Sequence, residues 1–425
     1  MAHAFLKCID AACGRVHPIG WTAPKCSACG NQLDVTYEFD SASVEDLRRC
    51  WRDRLSSDAA IDRSGVWRFR ELLPFLRPGV HPTTLCEGRT PLIEAPRAGR
   101  WAGGVRLWAK HLGANPTGSF KDLGMTTCIS AAAAAGTRVV ACASTGNTSS
   151  SMAAYAARAG LGAVMFVPYQ AVAVAKLAQA IEFGAGVIQV RGSFDDAFHL
   201  LDTVAVERGL QVVNSINPFR LEGQKTAVVE LLEQRNWRPP DFVVLPGGNL
   251  GNVSSMGKAL RELAGLGATD RSPRLVVVQA AGAAPFYRQW ISGGDLEPVT
   301  PPQTEASAIR IGHPANWRKA RRELEWTHGM VEAVSDQEID EAKAALASDG
   351  IGCEPASAAT VAGVRKLRAQ GKIAAEADVV VFLTGHQLKD PDYILRHNAN
   401  NDRANIIIDP DPDAARRALD KLLAV

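Results

Sequence analysis

From residue 90 onward, short apolar runs alternate along the chain with longer stretches of helical periodicity. The pattern predicts strands at 105–109, 138–143, 163–167, 187–190, 211–214, 242–245, 275–279 and 379–383. It predicts helices at 123–135, 149–158, 171–182, 194–207 and 222–234. Continuously apolar strands separated by helices are typical of parallel sheets that are covered on both faces. Because these units are too many for one compact sheet, we expect an α/β protein with two doubly wound lobes and a cleft between them.

The first 40 residues differ from this pattern. Cys8 and Cys13 are followed, twelve residues later, by Cys26 and Cys29. Two cysteine pairs, each near a turn, suit a zinc site with four thiolate ligands, and the metal would stabilise a zinc-ribbon-like module this short. Four thiolates leave no open coordination position, so the role would be structural. The alternative is four buried or free thiols. His17 could substitute as a ligand, but we expect it to be a lone surface histidine.

Two further segments flank the predicted α/β core, which we place at 85–395 with the small lobe, about 125–220, inserted in the large one. Residues 41–84 are basic, with predicted helices at 44–55 and 67–76 that end at Pro78, and we expect this linker to wrap the core. The tail, 396–425, is predicted to end in a short amphipathic helix after the two Asp-Pro pairs at 409–412.

Composition excludes several classes of protein. The 425 residues are 46% hydrophobic and 22% charged, which is ordinary for a globular protein of two or more domains. A net charge of +2 gives no electrostatic reason to expect nucleic acid or an anionic membrane as the partner. The chain has no apolar run of about 18 residues and no signal-peptide core at its start. Five of the nine cysteines are scattered without spacing, so we expect a reducing cytoplasm.

A single lysine, Lys121, lies in a loop of small and polar residues, NPTGSFKD at 115–122, just before a predicted helix. Ser119 or Thr117 could cap that helix, which would place the lysine near its positive end. That position disfavours a charged ammonium, and a free amine is what a Schiff base with an aldehyde cofactor requires. An isolated lysine at a helix start is most often merely solvated, but further stretches of the sequence favour the chemical interpretation.

The first of these stretches is PGGNLGN at 246–252, which follows a buried strand and opens a helix. Its glycines allow backbone N–H groups to converge on an anion, and a helix N-terminus favours negative charge. The spacing is neither the dinucleotide pattern nor a Walker loop, so it suits a single phosphate group and not a nucleoside triphosphate. The alternative is a tight strand-to-helix turn with no ligand.

Polar side chains also gather at the ends of three other predicted strands. The run STGNT at 144–148 has more hydroxyls and amides than a helix cap needs, and it could hold a carboxylate. The run NSINPFR at 214–220 adds a guanidinium, that of Arg220, which suits a second oxyanion such as a substrate phosphate. The alternative for Arg220 is an ion pair with Glu222 that only holds the helix start. The run TGH at 384–386 lies where open α/β sheets bind ligands.

In their order along the chain and in their residues, these motifs resemble those of the fold-type II (tryptophan synthase β-like) pyridoxal-phosphate enzymes, and within them the threonine synthase family. The resemblance runs from the LCEGRTPL motif at 85–92 to TGHQLKD at 384–390, and it includes EPAS at 354–357. Many members of that family are similar to this chain in having an N-terminal cysteine ribbon. A glycine takes the position of Gln387 in some relatives, which leaves the floor of the pocket less defined.

The resemblance implies a role for each residue of the site. Lys121 would be the catalytic residue and would carry the cofactor, pyridoxal 5'-phosphate, as a Schiff base. Asn147 would contact its phenolic oxygen, and Thr384 its pyridine nitrogen. The backbone of the glycine loop would hold its phosphate, through Gly248, Asn249, Leu250, Gly251 and Asn252. The substrate would be bound by Ser144, Thr145, Asn147, Thr148, Asn214, Ser215 and Arg220.

The reaction implied is the conversion of O-phospho-L-homoserine and water to L-threonine and phosphate by a homodimeric enzyme. Three alternatives remain open at this point. A threonine or serine dehydratase or a sulfhydrylase would share the fold but would not need a second anion site. A cysteate-synthase-like enzyme acting on phosphoserine would keep that site. A zinc-ribbon interaction module on an inert scaffold would need no reactive lysine.

Overall fold

The structure of the protein is a computed structural model. It describes residues 3–21, 23, 25–39, 43–77, 79–169, 174–397 and 406–423. The chain forms two compact units, Met1–Lys389 and Asp390–Val425. Every candidate site residue named above lies in the first unit.

Three sheets organise the described part of the first unit. The N-terminal residues form an antiparallel sheet in the order β2-β1-β3, which we call the ribbon sheet, from β1 (His3–Cys8), β2 (Val16–Pro18) and β3 (Leu33–Glu38). The large sheet has the order β12-β11-β10-β13-β5-β4, from β4 (Leu92–Glu94), β5 (Arg106–His111), β10 (Phe242–Pro246), β11 (Arg274–Ala280), β12 (Met330–Val334) and β13 (Asp378–Leu383). The small sheet has the order β8-β7-β6-β9, from β6 (Val139–Ala143), β7 (Gly162–Pro168), β8 (Gly186–Val190) and β9 (Gln211–Val212).

Both larger sheets are parallel, except that β4 pairs antiparallel with β5 at one edge. Central strands such as β10 and β13 are buried almost throughout, which explains their continuous apolar sequence. The prediction of an α/β protein with two parallel lobes is therefore confirmed.

Helices cover the sheets and connect their strands. In the first unit they are α1 (Val44–Asp53), α2 (Ala60–Arg63), α3 (Pro96–Trp101), α4 (Lys121–Ala134), α5 (Asn147–Ala159), α6 (Val174–Glu182), α7 (Phe194–Arg208), α8 (Pro218–Gln234), α9 (Gly251–Gly265), α10 (Pro285–Ser292), α11 (Trp317–Trp326), α12 (Asp336–Ser348) and α13 (Pro355–Ala369). The second unit contains α14 (Pro391–His397) and α15 (Pro412–Leu423). Within the described ranges, no helix combines the length and the apolar character needed to span a membrane.

Helices α4 and α8 pack at very close range, and this contact sets the position of the lysine loop. A Cβ atom added at Gly223 of α8 would lie 1.7 Å from the carbonyl oxygen of Leu123 in α4. Only glycine allows this approach. The first turn of α4 and the first turn of α8 are thereby brought side by side, and Lys121 and Arg220 lie in those two turns.

The ribbon sheet is anchored to the large lobe and shares its core. Leu6, Leu33 and Val35 are buried in the same apolar cluster as the helices that cover the large sheet. The Lys319 ammonium of α11 donates to the carbonyl oxygen of Leu33 over 2.8 Å and forms an ion pair of 2.7 Å with Asp34. Because these charged contacts are buried, the ribbon sheet is a fixed part of the first unit.

Several predicted elements differ from those observed. The helix expected at 67–76 is a short 3-10 helix, Trp67–Leu72, and the strand expected at 211–214 ends at Val212. The helix expected from 171 is described from Val174, because 171–173 lie outside the described residues, as do Pro78 and residues 398–405 of the tail. Strand β12 was not predicted, because Glu332 interrupts its apolar run.

Candidate active site

The lysine loop is held in place by the strand end that carries Thr384. Phe120 donates its backbone N–H to the carbonyl oxygen of Thr384 (2.9 Å), and Ser119 pairs with Gly385 in an antiparallel bridge. Helix α4 begins at Lys121 itself, with Phe120 at the N-cap position. Of the two expected caps, Ser119 contacts the first turn, because its hydroxyl accepts from the backbone N–H of Lys121 over 3.4 Å. The expectation is wrong for Thr117, whose hydroxyl donates to the carboxylate of Asp122 over 2.6 Å.

The surroundings of Lys121 lower the pKa of its amine, so that a large fraction of it is neutral near pH 7. Burial lowers its pKa to about 7, with a further decrease from the positive charge of Arg220 and an opposing increase from Glu354. Its Nζ atom lies 4.0 Å from the ring centroid of Phe120. The sequence analysis attributed a lowered pKa of Lys121 to the nearby helix end, but burial is the larger cause in the structure.

Asp122 fixes the lysine loop from inside. Its buried carboxylate accepts hydrogen bonds from the backbone N–H of Thr117 (2.7 Å) and from the hydroxyl of Ser151 (2.6 Å), in addition to the Thr117 hydroxyl. Burial raises the pKa of this carboxyl to about 6, against the effect of these donors. Because Ser151 lies in α5, Asp122 links the loop to the small lobe.

Glu354 is a central residue of the site to which the sequence analysis gave no role. One carboxylate oxygen accepts from the amide of Asn147 (3.0 Å) and the other from the hydroxyl of Thr384 (3.1 Å). Ser357 lies 3.1 Å from the same hydroxyl. Burial raises the pKa of Glu354. The EPAS motif that contains Glu354 and Ser357 was the available signal, but it does not show which distant side chains they contact.

The turn after β10, at 246–252, is where the sequence analysis expects backbone N–H groups to hold a phosphate, and we call this turn the cradle. Strand β10 ends at Pro246 and α9 begins at Gly251, with Leu250 between them at a φ of 63°. The side-chain amide of Asn252 closes the turn by donating to the carbonyl oxygen of Pro246 over 2.9 Å. The positive end of α9 and the backbone N–H groups of such a turn suit one phosphate.

Arg220 is buried, with 2% of its surface exposed, and it has no carboxylate partner among the described residues. Its Nη1 atom donates to the carbonyl oxygen of Val213 over 3.1 Å, and its Nε atom has no partner there. Burial lowers the pKa of this guanidinium. The proposed pair with Glu222 is wrong, because Glu222 forms ion pairs with Lys225 (2.7 Å) and with Lys258.

The other predicted substrate ligands differ in how free their side chains are. The amide of Asn214 is engaged on both sides, accepting from the backbone N–H of Ala143 (3.0 Å) and donating to its carbonyl oxygen (2.9 Å). Ser144 accepts from the backbone N–H of Gly146 over 3.3 Å. Thr145, Asn147 and Thr148 lie half-buried at the start of α5, and Ser215 is half-buried beside α8. The assignment of these residues to the substrate remains a prediction.

A further lysine connects the loop with the small lobe. The Lys389 ammonium donates to the carbonyl oxygen of Thr117 (3.1 Å), the hydroxyl of Ser150 in α5 (3.3 Å) and the amide oxygen of Gln179 in α6 (2.7 Å). Its three N–H bonds thus reach three separate elements. The sequence analysis missed this residue because its partners are distant along the chain.

The four cysteines of the ribbon are brought together at the end of the ribbon sheet. The sulfur atoms of Cys8, Cys13, Cys26 and Cys29 all lie within 4.8 Å of one another. Tetrahedral zinc with bonds of about 2.3 Å places its sulfur ligands about 3.8 Å apart, so the cluster fits the metal. His17 is not a surface residue as expected; it is buried, with Nε2 3.5 Å from the sulfur of Cys26.

Comparison with known proteins agrees with this geometry. The model of the family described as pyridoxal-phosphate dependent enzymes matches residues 83–385. A threonine synthase of Methanosarcina acetivorans is 41% identical over 416 residues, 97% of this chain and 98% of the relative. One from Methanocaldococcus jannaschii is 42% identical over 393 residues, 92% of this chain and 94% of the relative. The solved structure of threonine synthase from Escherichia coli has a TM-score of 0.70 at 18% identity, and the match covers 98% of this chain and 94% of that one. The chain belongs to the family of pyridoxal-phosphate dependent enzymes and, within it, to the threonine synthases.

Proposed function

We propose that the protein is a pyridoxal-phosphate dependent lyase that converts O-phospho-L-homoserine and water to L-threonine and phosphate. The observation that carries the substrate assignment is the buried guanidinium of Arg220, which has no carboxylate partner among the described residues and lies close enough to Lys121 to lower its pKa. Burying a cation without a counter-ion costs free energy, so a guanidinium in this position is best explained by an anion that binds to it. The names of the relatives with 41% and 42% identity support the same reaction.

The residues of the site fit the cofactor. An aldehyde needs a neutral amine, and the pKa of Lys121 is lowered to about 7. The cradle at 246–252 suits one phosphate, and a Cβ at Gly248 would already lie 3.1 Å from the carbonyl oxygen of Ala308. We infer that Lys121 holds the cofactor, that Asn147 and Thr384 contact its ring, and that the ring stores the negative charge left by proton removal.

We infer a separate role in the reaction for each side chain of the site. Once the substrate amine has taken its place on the cofactor, the free amine of Lys121 can accept a proton from the carbon next to the substrate amino group and later return it. Arg220 would hold the phosphate group and stabilise the charge that develops as it leaves. Glu354 would keep Asn147 and Thr384 in position, since it accepts a hydrogen bond from each. The hydroxyls at the start of α5 would bind the substrate carboxylate.

A phosphate-release assay tests this proposal. Purified protein with pyridoxal phosphate is supplied in turn with O-phospho-L-homoserine, O-phospho-L-serine and L-threonine, and the organic product is identified by chromatography. Release of phosphate together with threonine from the first substrate supports the proposal. Preferential turnover of phosphoserine would favour the cysteate-synthase-like alternative, and deamination of threonine would favour a dehydratase.

We also propose that the four ribbon cysteines hold one structural zinc ion, because their sulfur atoms have the separation that tetrahedral coordination requires. A homodimer and a cytoplasmic location are proposed on the sequence resemblance and the pattern of cysteines. Sedimentation of the purified protein and fractionation of the source cells test these two points.

A further inference from the structure

We propose that Asn316 is a positioning residue that ties the cofactor-phosphate cradle to the loop that begins the substrate-phosphate site. The inference rests on the proposed function, since it takes the loops at 246–252 and 214–220 to bind two different phosphate groups. In an enzyme that uses two phosphates, the distance between them must be set within a fraction of an ångström. Asn316 joins the two loops directly.

The contacts of Asn316 are made to both loops at once. Its side-chain Nδ2 donates to the carbonyl oxygen of Ser215 over 3.1 Å and to that of Asn249 over 3.2 Å. Its backbone N–H also donates to the carbonyl oxygen of Asn249, over 3.2 Å. The residue is 1% exposed, so water competes little for these bonds. Its Nδ2 also lies 3.5 Å from the position that a Cβ would take at Gly251, the first residue of α9.

Asn316 bridges the two loops at the expense of local stability. It is the N-cap residue of α11, and asparagine is among the best N-caps because its side chain can accept from the first turn. Here the side chain makes no capping hydrogen bond. Its Oδ1 is also buried without a donor among the described residues. The side chain of Asn316 thus gives up a capping hydrogen bond and leaves its own acceptor without a donor. The hydrogen bonds from its NH2 group to the two carbonyl oxygens explain this orientation.

The segment around Asn316 is also held by residues at, and just before, the start of β3. The amide of Gln32 donates to the carbonyl oxygen of Ala315 over 2.9 Å, and the backbone N–H of Ala315 donates to the side chain of Asn249 over 3.3 Å. One turn later, Lys319 is fixed to Leu33 and Asp34. The bridge therefore has a rigid support, which a positioning residue needs.

The test compares three variants of the purified holoenzyme. Asn316→Ala removes the bridge. Asn316→Asp keeps the size of the side chain but turns oxygen atoms toward the two carbonyl oxygens. The matched control is Thr327→Ala at the other end of α11, where the buried hydroxyl donates to the carbonyl oxygens of Glu323 (2.9 Å) and Leu324 (3.3 Å). The control weakens the same helix without touching either loop.

We measure the dissociation constant of pyridoxal phosphate by its absorbance, the KM and kcat for phosphohomoserine, and the melting temperature. For Asn316→Ala we expect about a 5- to 20-fold increase in both the cofactor dissociation constant and the KM, because hydrogen bonds to both loops are lost. For Asn316→Asp we expect a larger increase. The control should lower the melting temperature and leave both constants unchanged.

Two outcomes would overturn the proposal. If Asn316→Asp is milder than Asn316→Ala, the residue only fills space. If the control changes the two constants as much as Asn316→Ala does, the effect is one of general stability. A wild-type protein that fails to use phosphohomoserine would refute the proposed function. The cofactor dissociation constant needs no turnover, so it would still test whether Asn316 positions the loop at 246–252.

Discussion

Replacement of Arg220 by methionine should separate an effect on catalysis from an effect on stability. The guanidinium is 2% exposed and has no carboxylate partner among the described residues. Methionine fills most of its volume without its charge. We therefore expect the variant to fold normally, to bind the cofactor normally, and to lose most of its activity on the phosphorylated substrate.

The size of each effect follows from the surroundings of Arg220. A fixed charge that stabilises a leaving phosphate contributes about 2–4 kcal/mol to the transition state, so kcat/KM should fall about 30- to 1,000-fold. The same charge is unfavourable in a buried site that lacks a counter-ion, so its removal should leave the free energy of unfolding unchanged or raise it by about 1–4 kcal/mol. The variant should therefore lose kcat/KM without losing free energy of unfolding, which is unusual for the replacement of a buried polar residue.

Arg68 offers the matched control. It is also buried, with 1% exposed, but its Nη1 atom donates to the carboxylate of Glu233 over 2.9 Å. Glu233 lies near the other end of α8, roughly 20 Å from Arg220 along the helix axis. Arg68→Met should therefore lower the free energy of unfolding by about 3–5 kcal/mol, because it breaks a buried ion pair, and leave kcat/KM nearly unchanged.

The assay combines denaturant unfolding of both variants with phosphate release from phosphohomoserine and a cofactor titration. A substantial loss of stability in Arg220→Met with near-normal kcat/KM would refute the reasoning, since Arg220 would then be a structural residue like Arg68. A parallel rise in the cofactor dissociation constant would instead place Arg220 at the cofactor phosphate.

Other predictions concern single groups of the site. Lys121→Ala should abolish both the visible absorbance of bound cofactor and the reaction, and a borohydride-reducible adduct at another lysine would contradict this assignment. In the cofactor-free protein, burial lowers the pKa of Lys121 to about 7 in the folded state only, so the folded state loses a proton that the unfolded chain keeps, and stability should rise with pH between about 7 and 10. Glu354→Gln removes a charge that raises that pKa, so the pH midpoint for cofactor attachment should move lower; an unchanged midpoint would show that Glu354 is already neutral. Cys26→Ser should lose the zinc that elemental analysis finds in the wild type, and a metal-free wild type of equal stability would refute the ribbon site.

The sequence alone was sufficient for the features that depend on neighbours along the chain. Alternating apolar strands and helices predicted the two parallel sheets, because burial on both faces produces a local pattern. The lysine loop and the glycine turn before α9 were found because short motifs carry their chemistry within a few residues. The cysteine pairs were found in the same way, and the structure places their sulfur atoms together.

The tertiary structure decided which of these residues act together. Glu354 accepts from Asn147 across 207 residues of sequence, and Asn316 reaches Ser215 across 101. Whether Arg220 pairs with its neighbour Glu222 was open in the sequence, and it was settled by two lysines that take Glu222 instead. The main cause of the low pKa of Lys121 is burial. Burial and charge pairing depend on the packing of distant segments, and a local sequence pattern carries no record of that packing.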